Sequence, residues 1–400
     1  MLEHLPLFFI IAGLIAYAVL AGADFGAGIW ILFSKRDDND LRDHARHSMG
    51  PVWEANHVWL IFIVVVSWTA YPTALSSIAS TLAIPFGLAL IGIVLRGTAY
   101  ALRAQAQDGE LALRIERVFG LSSVLTPFAL GTAVGGIASG HVPVGNAAGN
   151  LLTSWANPTG LVIGVLSVTT AWYLASVYLT ADAQRTGPAS LVEAFRVRAI
   201  AAGAGAGVLA LVGLIVVHAD AHRLWHGLTH GGGIAALVVS GLAGAATLML
   251  VVTRRYELAR AASALAVAAV VIGWAVAQRP YLLPGLTVSQ AAAGHETLVA
   301  VVIAVVAGAV VLVPSLAFLF TLTLRGKFDH HNPLLESTIT PVHESPNLPL
   351  RIAAAATALL VGAGCTVLLN SWGLALGVVL LIVFILLGFG PLAQPPESTH

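Results

Sequence analysis

Four ionisable side chains set in apolar sequence could do chemistry here: Asp24, Glu54, His57 and Arg96. Asp24 lies in Ala21-Gly-Ala-Asp-Phe-Gly-Ala-Gly28, and Glu54 and His57 lie in Pro51-Val-Trp-Glu-Ala-Asn-His-Val-Trp59. Three residues apart on a helix, Glu54 and His57 share a face and can exchange a proton. Arg96 falls about two helical turns before Arg103. Two carboxylates, an imidazole and a guanidinium at one depth can pass protons, or they can glue helices together as buried polar contacts. A second pattern is His218, His222, His226 and His230, spaced every four residues. On a continuous helix such a stripe could hold zinc, copper or nickel. Gly227 and the run Gly231-Gly-Gly233 oppose a long rigid helix, so a polar interfacial segment is expected and no metal site.

The elements that must position these residues follow from composition. Of 400 residues, 58% are hydrophobic and only 10% charged, too little charge to dress a water-facing surface. The solvent must be lipid. Nineteen basic and nineteen acidic residues cancel, leaving no field for nucleic acid, and the single Cys365 excludes a disulfide framework or a CxxC pair. A bilayer-crossing helix needs about 20 mostly apolar residues. Nine such spans are expected: Leu7–Phe33, Val52–Tyr71, Ile78–Leu102, Val118–Ala138, Pro158–Ala181, Ala199–His218, Gly233–Thr253, Leu258–Ala277 and Thr297–Leu324. The first is read as a retained helix and not a signal peptide, because Met1 to Pro6 carries no Lys or Arg.

Charge orients the spans. Lys35, Arg36, Arg42 and Arg46 occupy the first loop, Arg103, Arg114 and Arg117 the third, Arg185, Arg196 and Arg198 the fifth, and Arg254, Arg255 and Arg260 the seventh. The intervening loops hold Arg223 and Arg279 at most. Basic loops mark the cytoplasmic side. The N-terminus is therefore expected outside, with Asp24, Glu54, His57 and Arg96 in the cytoplasmic half. Beyond Lys327, residues 328–351 are polar and Pro-rich, as in a linker. Residues 352–390 are apolar around Asn370-Ser-Trp-Gly373 and are expected to form one or two further helices, most simply a hairpin, before a tail at 391–400.

Together these segments resemble subunit II of the cytochrome bd quinol oxidases. Asp24-Phe-Gly26-Ala-Gly28 is similar to that family's first-helix motif, and Pro51-x-Trp53-Glu54-x-Asn56-x-Val58-Trp59-Leu60 to its second. Arg96-Gly-Thr-Ala-Tyr-Ala-Leu-Arg103, the fourth-span residues Pro127, Gly131 and Gly135, Arg279-Pro-Tyr-Leu-Leu-Pro284 with Leu286-Thr287, and Arg325-Gly-Lys327 extend the likeness over most of residues 1–327. It departs at Ala21, where the family has a carboxylate, and at Glu54 and His57, which replace Asp and Glu or Gln.

The resemblance implies an all-α polytopic membrane protein of two four-helix bundles plus a peripheral helix, in the bacterial inner membrane. It implies a non-haem-bearing subunit of a quinol:oxygen oxidoreductase, beside a subunit I that holds haems b and d. A structural quinone and a small single-helix subunit are further expectations, with quinol and oxygen as substrates of the complex. Glu54, Asp24 and His57 would serve a proton path, and Trp59 and Arg96 would lie by an oxygen route or in a structural polar cluster. No catalytic residue for oxygen chemistry and no directly bound cofactor is expected in this chain. The competing classes are a transporter, for which no duplicated motif is seen, and a membrane anchor for an unknown partner.

Overall fold

The computed structural model describes residues 2–34, 39–47, 53–103 and 109–324, with scattered positions between 354 and 383. It divides into two units, Met1–Leu319 and Phe320–His400. In the first, α1 (Leu5–Phe33) is followed by the short polar α2 (Asn39–His47), then α3 (Trp53–Ala70), α4 (Pro72–Thr81), α5 (Ala83–Arg103) and α6 (Glu110–Ala138). After them come α7 (Pro158–Thr186), α8 (Ala189–Asp220), α9 (His222–Thr229), α10 (Gly232–Val252) and α11 (Tyr256–Gln278). A hairpin of β1 (Tyr281–Leu283) and β2 (Leu286–Thr287) then leads through α12 (Val288–Ala291) to α13 (His295–Leu324). Eight helices among the described residues are long and apolar enough to cross a membrane, and the apolar part of α3, Asn56–Ala70, is shorter.

Every expected span falls on a helix, but the third is broken. Ile78–Thr81 belongs to α4, and α5 starts afresh at Ala83. The cause is Pro85: it has no N–H to offer the Thr81 carbonyl, so a helix running through Leu82 would lose a bond there. Several helices also run past the apolar windows at the basic end. Thus α6 begins eight residues before Val118, and α8 ten before Ala199.

Helices α1, α3, α5 and α6 pack as one group, and α7, α8, α10 and α11 as a second; α1 and α6 both lie against α7. Close approach depends on small residues. A Cβ on Gly26 would meet the Ala171 carbonyl oxygen at 1.9 Å, so α1 and α7 touch backbone to backbone. Along α6, Gly120 faces Leu32 of α1, Gly131 faces Ser167 and Gly135 faces Gly160 of α7. Large apolar side chains such as Trp68, Ile215, Leu242 and Val310 point outward, the arrangement lipid requires.

The basic segments gather at one end. There Glu116 meets Arg42, Arg46 and Arg103, Asp182 meets Arg260 at 3.2 Å, and Glu193 meets Arg254 at 3.4 Å. The opposite end is tied by the Leu7 amide donating to Tyr71 Oη at 3.0 Å and the Ala293 amide donating to the Ala70 carbonyl at 2.8 Å. In the second unit the described positions, among them Gly373, are helical. The expected linker 328–351, the tail 391–400 and Asn370 to Trp372 of the expected turn lie outside the described residues.

Candidate functional site

Asp24 and Arg96 meet inside the first helical group, 72 residues apart in sequence. Arg96 Nη2 donates to Asp24 Oδ1 at 2.7 Å and to the Asp24 carbonyl at 3.0 Å. The side chains are 1% and 5% exposed, so this is a fully buried ion pair. Arg96 Nη1 donates to Ser123 Oγ on α6, whose hydroxyl donates in turn to the Phe119 carbonyl at 2.6 Å. The guanidinium also lies over two rings, 4.2 Å from the centroid of Phe119 and 5.0 Å from that of Phe25. Ion pair, hydroxyl and aromatic faces together fix the cation's position. Gly28 makes the room: a Cβ there would strike Ser123 Oγ at 2.1 Å and Arg96 Nη1 at 2.7 Å.

Among the described residues, the buried Asp24 Oδ2 has no hydrogen-bond partner. A buried carboxylate oxygen with no donor is rare, and at membrane depth it is expensive. Water or a transferable proton would satisfy it. His57 lies across Phe25, its ring edge-on to Phe25 at 6.0 Å and to Tyr17 at 6.2 Å between centroids. Thus Asp24, Arg96 and His57 surround one phenylalanine, on α1, α5 and α3. The Glu54 side chain lies outside the described residues, although its backbone belongs to the first turn of α3.

Trp59 packs against the cluster that holds Tyr17, Ala21 and Phe25, the last also covered by Arg96. It lines an apolar groove of about 600 Å³ between α1, α3 and α13, with Phe62, Gly13 and Val306. The histidine stripe is divided. α8 stops at Asp220, Ala221 turns the chain, and α9 restarts at His222. His226 and His230 stack at 4.0 Å, while His218 turns to Trp225 at 4.7 Å. Among the described residues no group of three or more His, Cys, Asp or Glu is arranged to hold a metal ion.

Residues 2–323 match the family of cytochrome bd terminal oxidase subunit II. The chain belongs to that family. Among curated relatives it is 22% identical over 215 residues to a putative cytochrome bd menaquinol oxidase subunit II of Bacillus subtilis, covering 53% of this chain and 61% of that one. It is 28% identical over 162 residues to the cytochrome bd-I ubiquinol oxidase subunit 2 of Escherichia coli, 39% of this chain and 42% of the other. These alignments span less than two thirds of the relatives' lengths. A chain from the structure of bd oxidase from Geobacillus thermodenitrificans superposes with a TM-score of 0.65 at 25% identity, covering 81% of this chain and 98% of that chain.

One charged site of this subunit II chain escaped the sequence reading. Glu116, 8% exposed, takes the Arg42 guanidinium on one oxygen and Arg46 and Arg103 on the other, both at 3.0 Å. It sits just before the apolar run of the fourth span and reads as loop. The available signal was Arg42 and Arg46 four residues apart, which share a face if the first loop is helical. His57, in α3, meets the rings of Tyr17 and Phe25 edge-on.

Proposed function

We propose that this chain is the subunit of a quinol:oxygen oxidoreductase that carries no haem, paired in the bacterial inner membrane with a haem-bearing subunit I. In that role it supplies a route for protons from the basic, cytoplasmic end toward the haems. Asp24, His57 and Glu54 belong to the route, and Arg96 holds Asp24 in place. The observation that carries this reading is the buried Asp24 Oδ2, which has no donor among the described residues.

The electrostatics support it. The Arg96 guanidinium compensates the carboxylate at a depth where an unpaired charge is expensive. The second oxygen stays open to a water or a proton donor. Trp59 and the groove beneath it would border the oxygen route or take the apolar tail of a quinone. Haem, when bound in subunit I, supplies the electron transfer and oxygen reduction, and residues of this chain position protons only.

Two experiments test the assignment. Purified with its native partner, the chain should bring down haem; purified alone, it should show no haem absorption of its own. A stoichiometric Soret band from the isolated polypeptide would contradict the reading. Glu54→Gln keeps the size and removes the titrating group. It should lower oxygen-reduction turnover while leaving the haem spectrum of the complex nearly unchanged.

A further inference from the structure

A small polar pocket of about 130 Å³ opens at the basic end of the first helical group, away from Asp24. Its polar wall is Ser34, Arg42, Glu116 and Arg117, and Leu32 and Leu113 form its apolar side. We propose that it binds the phosphate of an anionic phospholipid headgroup. The proposal does not depend on the oxidase reading.

Charge comes first. Around Glu116 the described side chains bring four guanidinium groups, Arg42, Arg46, Arg103 and Arg117, against two carboxylates, Glu116 and Asp43. Only Arg42 and Glu116 of these are buried, so the excess positive charge lies at the rim, where it attracts acidic headgroups. Donors come second. Arg42 is 8% exposed, and its Nε, like that of Arg46, is buried without an acceptor. Arg117, exposed at the rim, has no ion-pair partner among the described residues. Arg42 and Arg117 both line the pocket, and guanidinium matches phosphate through paired hydrogen bonds.

The surroundings decide between a lipid and free phosphate. On the same helical turns as the pocket, Phe33 is 63% exposed, Val118 40% and Leu121 59%. In a membrane these side chains face acyl chains. The site thus has a charged head region above an apolar flank, the profile of a phospholipid and not of an inorganic ion. Basic pockets between membrane helices bind acidic headgroups by this arrangement.

The test is a thermal-shift titration of the full-length chain, purified with its accompanying subunits and delipidated in detergent. The probes are short-chain phosphatidylglycerol, phosphatidylcholine of the same chain length, and inorganic phosphate. Phosphatidylglycerol should half-saturate at a concentration at least about tenfold below either other probe. Arg42→Gln should weaken it about tenfold, the loss of roughly one charged hydrogen bond. Arg117→Gln, which breaks no ion pair, should weaken it several-fold and decides the matter if Arg42→Gln does not fold. Equal titrations for wild type and both variants, or equal responses to the zwitterionic lipid, would overturn the proposal. Inorganic phosphate matching phosphatidylglycerol would overturn the lipid assignment and leave a free-phosphate site.

Discussion

Two buried carboxylates of this chain are held in opposite ways. Asp24 has one cation, Arg96, and keeps one oxygen without a donor. Glu116 has three, Arg42, Arg46 and Arg103, and both its oxygens are engaged. They lie on adjoining helices, and Ser123, which accepts from Arg96, is seven residues or about 10 Å along α6 from Glu116. A carboxylate shared among three guanidinium groups clamps α2, α5 and α6 together. A carboxylate with one cation keeps its second oxygen open to a further donor. Nearly equal burial therefore yields a lock in one place and a candidate relay in the other, and the number of cations makes the difference.

Removing Arg96 should have the largest effect. Arg96→Met leaves Asp24 buried without its cation, which costs about 3–5 kcal/mol in comparable buried pairs. Thermal unfolding in detergent should show it. The double variant Asp24→Leu, Arg96→Met should recover much of the loss, because no unpaired charge remains. No recovery would mean that the aromatic stacking of Arg96, and not the pair, holds this region.

Gly28→Ala comes next. It drives a methyl group into Ser123 Oγ and Arg96 Nη1 and should cost about 1–3 kcal/mol, typical of overpacking. It should weaken the Asp24 site and spare the Glu116 clamp, which separates the two regions by a single atom. Glu116→Gln should cost about 1–2 kcal/mol, the value of charged hydrogen bonds lost to partly exposed partners. Arg46 and Arg103 are 30% and 22% exposed, so salt should shrink that loss while leaving the Arg96 effect intact. Arg114→Ala is the control. Its 3.1 Å pair with Glu110 is 69% and 76% exposed, and its removal should change stability by no more than about 0.5 kcal/mol.

The sequence reading succeeded where one physical term dominates. Hydropathy set the expected spans on helices, eight of the described ones long enough to cross a membrane and α3 shorter in its apolar part, and the ion pairs gather the basic segments at one end. It failed where two terms compete. The stretch from Ile78 to Pro85 is apolar enough to look continuous, yet the missing N–H of Pro85 divides it. Glu116 belongs to a helix that outruns its apolar window, so a hydropathy scan hides it. The depth of Asp24 and Arg96 was legible from spacing, but their pairing was not. Nor were Ser123 and Phe119 as partners of Arg96, because those contacts depend on how α6 crosses α1 and α5.

The relay reading of Asp24 is tested most directly by oxygen-uptake turnover of the assembled complex carrying Asp24→Asn. Asn keeps an acceptor for Arg96 and cannot titrate. Turnover should fall at least several-fold, with haem content and spectrum preserved, and Asp24→Glu should restore part of it. Full turnover by Asp24→Asn in a normally assembled complex would contradict the account and leave Asp24 and Arg96 as a purely structural pair.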